Sequence, residues 1–109
     1  MAGLTLVLVG PMTGLPDYNY PAFHAAAAAL RAAGYQVINP AENPEQESWE
    51  AYLRYSLTEL LKGDAVATLD GHWASRGARL ELHVSRKLEM PEFSVQAWLA
   101  KAEFAARAA

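Results

Sequence analysis

The chain predicts an α/β domain built on a parallel sheet. Three observations carry that prediction. Short apolar runs alternate with helical patterns along the sequence, which is the order of strand–helix–strand units with right-handed crossovers. The first run, Leu4 to Val9, is continuously apolar rather than alternating, as a central strand covered on both faces is. Start and stop residues punctuate the helical patterns between the runs.

Each element follows in order. Leu4–Val9 is the first strand, and Gly10-Pro11-Met12-Thr13-Gly14-Leu15-Pro16-Asp17 is a loop rich in glycine and proline. A helix is expected from about Pro21 to Ala33, with Asn19 as its cap, Pro21 in its first turn and Gly34 at its end. Tyr35–Ile38 is the second strand, closed by Asn39-Pro40. Asn43-Pro44-Glu45-Gln46 combines a cap, an early proline and a glutamine at capping-box distance, so a second helix is expected from there to about Leu61. Trp49, Tyr52, Leu53, Leu57, Leu60 and Leu61 form its apolar stripe, and Ser56 falls on the same stripe. A hydroxyl there either bonds back to its own helix or faces a pocket.

Gly63-Asp64 leads into the third strand at Ala65–Leu69. The third helix is expected over about Ser75–Leu88, and Pro91–Val95 reads as a short fourth strand. The tail from Gln96 is alanine-rich, with Trp98, Leu99, Ala102 and Ala105 at helical spacing, and reads as an amphipathic helix at about 96–108. No repeat or linker divides the 109 residues, so one domain spanning 1–109 is expected.

Composition narrows the function. An apolar share of 52% fits a packed core, and a net charge of −3 with no basic block argues against nucleic acid as a partner. The absence of cysteine excludes disulfides, thiolate nucleophiles and zinc–thiolate clusters, and His24, His72 and His83 lack metal-ligand spacing. The apolar N-terminal run lacks a basic flank and reads as a strand rather than a signal peptide, and no stretch has membrane-spanning length. A cytoplasmic protein without metal or cofactor is the expectation. GPMTG is neither a Walker loop nor a dinucleotide fingerprint.

In parallel α/β sheets ligands bind beyond the carboxyl ends of the strands. Gly10–Tyr18, Ile38–Glu45 and Asp70–Ser75 would meet there. The run Ser75-Arg76-Gly77-Ala78-Arg79-Leu80-Glu81 opens a helix just after the third strand. A small polar residue at a helix start offers a hydroxyl and free N–H groups to an anion. Glu81, six residues on, is a carboxylate under two turns away and a candidate nucleophile if it faces the site. Asp70 is either a turn residue before Gly71 or an acid at the end of the third strand. Asp17 is a second acid candidate or a solvated loop residue. Tyr18 and Tyr20 have the faces to stack on a base, and Trp73 either floors a pocket or anchors its loop.

GPMTGLPDYNYPAFHAAAAALRAAGYQVINPAE, WEAYLRYSL and GDAVATLDGHWASRGARLELHVSRKL together resemble the nucleoside 2-deoxyribosyltransferase-like superfamily, and most closely its small bacterial and phage branch of unknown function. The resemblance covers roughly residues 6–88. It implies a flavodoxin-like sheet with helices on both faces and cleavage of the N-glycosidic bond of deoxynucleosides or their monophosphates. It places Glu81 as the nucleophile, Ser75 at the 5′-phosphate and the loop Gly10–Gly14 (with Pro11, Met12 and Thr13) over the sugar or phosphate. Tyr18, Ser56 (placed near the base), Trp73, Arg76 and Gly77 complete the expected binding set. Two positions depart from the pattern. Ser56 stands where the superfamily carries an acidic residue, and Thr13 stands where the monophosphate hydrolases carry an arginine, a charge that Arg76 or Arg79 would have to supply.

Two function classes follow. One is an N-glycosidase or deoxyribosyltransferase acting on a small nucleotide or nucleoside, favoured by Ser75 and Glu81. The other is a nucleotide-binding or sensing module on the same fold, favoured by Ser56. Small size, the high apolar share and the extra helix at the end point to a homodimer.

Overall fold

The computed structural model describes residues 3–108. Four strands form one sheet: β1 (Thr5–Val9), β2 (Gln36–Ile38), β3 (Ala65–Thr68) and β4 (Glu92–Ser94), in the order β2-β1-β3-β4. All three pairings are parallel, with Leu6 beside Val37, Val7 beside Val66, and Ala67 beside Phe93. Four helices connect or follow them: α1 (Tyr20–Ala32), α2 (Trp49–Leu60), α3 (Arg76–Lys87) and α4 (Val95–Ala108).

Alternate side chains of the central strands feed two cores, because successive residues of a strand point to opposite faces. Leu6, Leu8, Ala65 and Ala67 pack with Phe23, Ala27 and Leu30 of α1 and with Val95 and Trp98 of α4. Val7, Val9 and Val66 pack with Leu60 of α2 and with Ala78 and Leu82 of α3. The result is a three-layer, flavodoxin-like α/β fold. Every residue of β3 is buried, in keeping with a strand covered on both sides. Gly63 precedes β3 because nothing larger fits: a Cβ there would lie 2.2 Å from Val7 Cγ2. Among the described residues no helix is long and apolar enough to cross a membrane.

α4 is tied down at its start. Trp98 donates its indole N–H to Val66 O at 2.9 Å, and Tyr35 donates its hydroxyl to Trp98 O at 2.8 Å. Buried donors with partners fix the helix by direction as well as by area. Two bidentate ion pairs brace the connections, Arg31–Glu42 between α1 and the loop after β2, and Arg86–Glu92 between α3 and β4.

Several expected details differ. The second helix begins at Trp49, not at Asn43. Ser48 caps it by accepting the Ala51 N–H at 3.1 Å, while Asn43 is extended and gives its amide to Ser56. Pro40–Glu42 forms a 3-10 turn instead, capped by Asn39. Asn19 precedes α1 but does not cap it. It sits in the left-handed region at φ 60°, and its side chain donates to Pro11 O at 3.0 Å. Leu61 lies beyond the end of α2 and is exposed rather than part of a buried stripe.

Candidate functional site

The sheet order puts the change of winding direction between β1 and β3, and a crevice opens beyond the carboxyl ends of the strands at such a point. The loop after β1 and the loop after β3 touch there. A Cβ on Gly10 would lie 2.8 Å from Leu69 Cβ, and one on Gly71 3.3 Å from Pro11 Cγ, so glycine at position 10 is what lets the loops close up. Asn19 pins the first loop through Pro11.

Two loops converge on one hydroxyl. Tyr52, on α2, donates to Pro40 O at 2.7 Å and lies 3.6 Å from Met12 Sδ. Its phenol is held well above its ordinary value by burial first, then by the neighbouring Tyr20 and the charge of Glu81. One turn further along α2, Ser56 is buried and accepts from Asn43 Nδ2 at 3.4 Å. The Ser56 hydroxyl is thus tied to the loop after β2 and not to its own helix.

Glu81 faces this group from α3. The residue keeps some accessible surface, yet its carboxyl is enclosed deeply enough that burial pushes its pKa up to about 8. Among the described residues it has no hydrogen-bond partner and no counter-ion. An acidic side chain placed so is costly to ionise, and groups of this kind concentrate at working sites. α3 positions it by a local rule: Ser75 caps the helix, accepting the Ala78 N–H at 3.3 Å, and Ala78 and Leu82 bury the adjacent face. The Ser75 hydroxyl is therefore already committed as an acceptor, and its proton remains free to be donated to an anion.

The first loop approaches with strain. Asp17, Tyr18 and Asn19 lie consecutively in the left-handed region, at φ 51°, 52° and 60°. Each such non-glycine residue costs about 1–2 kcal/mol. The turn leaves Tyr18 exposed and 5.9 Å from the ring of Tyr20. Thr13 and Gly14 are exposed at the loop tip. Gly77 faces Trp49 and Leu53 of α2, and Arg76 stacks over the Trp49 ring at 4.2 Å.

Two expected residues lie elsewhere. Asp70 lines a depression over α1 and α4, the layer opposite the one that holds Glu81. Trp73 is 65% exposed and packs edge-on against His72 at 5.1 Å, beside a depression on the outer side of α3 that also includes Arg79. It neither floors the Glu81 crevice nor anchors its loop in a core. A further depression runs along the outer side of α2. None of these three contains Glu81. The convergence of Tyr52, Asn43, Ser56 and Glu81 beneath two loop ends outweighs concavity here, because the α2 depression is lined by helix-face residues such as Glu50, Arg54 and Thr58. The sequence alone passed over Tyr52 and Asn43. A tyrosine within an otherwise aliphatic stripe, one turn before a serine, was the available signal.

The family described as Domain of unknown function (DUF4406) matches residues 4–92, and the chain belongs to it. None of the curated proteins matches the chain significantly.

Proposed function

We propose that this member of the DUF4406 family is a cytoplasmic N-glycosidase or deoxyribosyltransferase of the nucleoside 2-deoxyribosyltransferase-like kind, acting on a deoxynucleotide or deoxynucleoside. Glu81 carries the reading. It is an enclosed carboxyl without a partner among the described residues, at the carboxyl ends of the strands and beside the Tyr52 hydroxyl. In the proposed reaction a Glu81 oxygen attacks the anomeric carbon as the bond to the base breaks. The bonding pair leaves with the base, which takes up a proton, and an oxocarbenium-like transition state lies between. Water, or a second base, then displaces the glutamyl ester. Water delivers the proton to the departing base in this reading, since Asp70 lies over the opposite layer. The Ser75 hydroxyl and the first N–H groups of α3 receive a 5′-phosphate, and Tyr18 closes over the base. A homodimer is proposed alongside this reaction and does not depend on it.

Incubation with each of the four deoxynucleoside monophosphates, followed by chromatography, tests it. Free base is expected, formed at a rate that rises with pH up to about 8 as Glu81 ionises. A nucleotide that binds without base release from any of the four would favour a sensing module, the reading that Ser56 supports.

A further inference from the structure

We propose that a second copy of this chain docks on the outer face of α4, the two helices crossing antiparallel at Ala100. Phe104 of each copy then fills the α1–α4 depression of the other. The inference is independent of the glycosidase reading, because no residue in it belongs to the Glu81 crevice.

Gln96, Ala100 and Phe104 recur every four residues and so lie on one stripe of α4. All three are exposed, while Val95 and Trp98 hold the opposite face in the core. Phe104 is 74% exposed, and every residue from Glu103 to Ala108 is exposed. A large apolar ring on a helix stretch that packs against nothing is a surface awaiting a partner.

The chain carries a matching socket. A depression of about 430 Å³ is floored by Ala22, Ala25 and Ala26 of α1, and Gln96 forms part of its rim. The socket therefore borders the very helix that bears the ring. With a rise of about 1.5 Å per residue, Phe104 lies about 12 Å along α4 from Gln96. In an antiparallel pair centred on Ala100, position 104 of one helix comes opposite position 96 of the other, and the converse holds at the same time. Ring and socket thus match twice under a single two-fold axis, which closes the assembly at a dimer. Ala100 at the crossing presents only a methyl group, so the axes can approach closely. The charges agree as well. Asp70 is the one charged residue lining the socket, and Arg107 lies one turn beyond Phe104. Arg107 pairs with Glu103 along its own helix, and in the dimer it is placed to turn toward Asp70 of the second copy.

Sedimentation equilibrium from one to a hundred micromolar, with circular dichroism to monitor folding, tests the proposal. The unaltered chain is expected at about twice its 11.9 kDa mass. Phe104→Asp should weaken association at least thirtyfold, the loss typical of a buried aromatic anchor, with an unchanged spectrum. Ala25→Trp, which fills the socket from an exposed position, should do the same from the other side. Asp70→Arg and Arg107→Asp should each weaken the dimer, and the double variant should recover most of the loss. A monomeric mass at a hundred micromolar overturns the proposal, whatever else the face binds. So does a dimer that survives both Phe104→Asp and Ala25→Trp.

Discussion

Replacing Glu81 with glutamine converts the cost of burying a carboxyl into a measurable difference. Burial moves the Glu81 pKa from the ordinary 4.5 up to about 8. Between those pH values the folded chain holds a proton that the unfolded chain has released. Unfolding free energy therefore falls as pH rises from about 4.5 to 8 and levels off above that. At about 1.4 kcal/mol per pH unit, the whole interval corresponds to an upper figure of about 5 kcal/mol. Because Glu81 keeps some contact with solvent, about 2–3 kcal/mol is the working expectation. Glutamine preserves the shape and cannot ionise. Glu81→Gln should therefore match the parent at pH 4.5 and exceed it by that amount at pH 8.5. In urea, with a slope of about 1–1.5 kcal/mol/M for a chain of this size, the midpoints should separate by roughly 2 M at pH 8.5 and coincide at pH 4.5. All other titrating groups are common to both proteins and cancel in the comparison, made at one protein concentration. Parallel stability curves across this range would refute the enclosure of the carboxyl and, with it, the argument that marks Glu81 as functional.

Two further outcomes separate structural from functional roles at the same site. Ser75→Ala should lower stability by about 1 kcal/mol through loss of the α3 cap, whereas Ser75→Asp keeps a good cap but sets a negative charge against a phosphate. Calorimetry should then show Ser75→Asp weakening a deoxynucleoside monophosphate at least tenfold and barely changing the free nucleoside; equal weakening of both would remove the phosphate from Ser75. Tyr18→Gly should relieve the left-handed strain and raise stability by about 0.5–1 kcal/mol in thermal melts, while weakening a ligand that carries a base. A melting temperature that does not rise would show that Tyr18 is not strained.

Features that depend on neighbours in sequence were legible before the structure. The apolar runs of β1 and β3, the Ser75 start of α3 and the parallel alternation needed only periodicity, caps and chain order. The misplaced start of α2 shows where that ends. Asn43 read as the cap, but Ser48 takes that place because the Asn43 side chain is used on Ser56, thirteen residues away. Asn19 was diverted in the same way, to Pro11. Tyr52 read as one more apolar position because periodicity sees the ring and not where its hydroxyl lands, between Met12 and Pro40. Asp70 and Trp73 leave the end of β3 together, yet one lines the α1–α4 depression and the other the outer side of α3. The direction a loop residue takes is set by backbone turns such as the left-handed Gly71, which no periodic pattern reports.

Acid-quenched mass spectrometry of the protein during turnover with a deoxynucleoside monophosphate tests the assignment of Glu81 as the nucleophile most directly. A glycosyl-enzyme ester is a necessary intermediate if Glu81 attacks the anomeric carbon, and quenching at low pH preserves it. The expected result is a mass increase equal to one deoxyribosyl 5-phosphate group, on the peptide that contains Glu81, and its absence in Glu81→Gln. Free base produced with Glu81 unmodified throughout turnover, or an adduct that persists in Glu81→Gln, would contradict it.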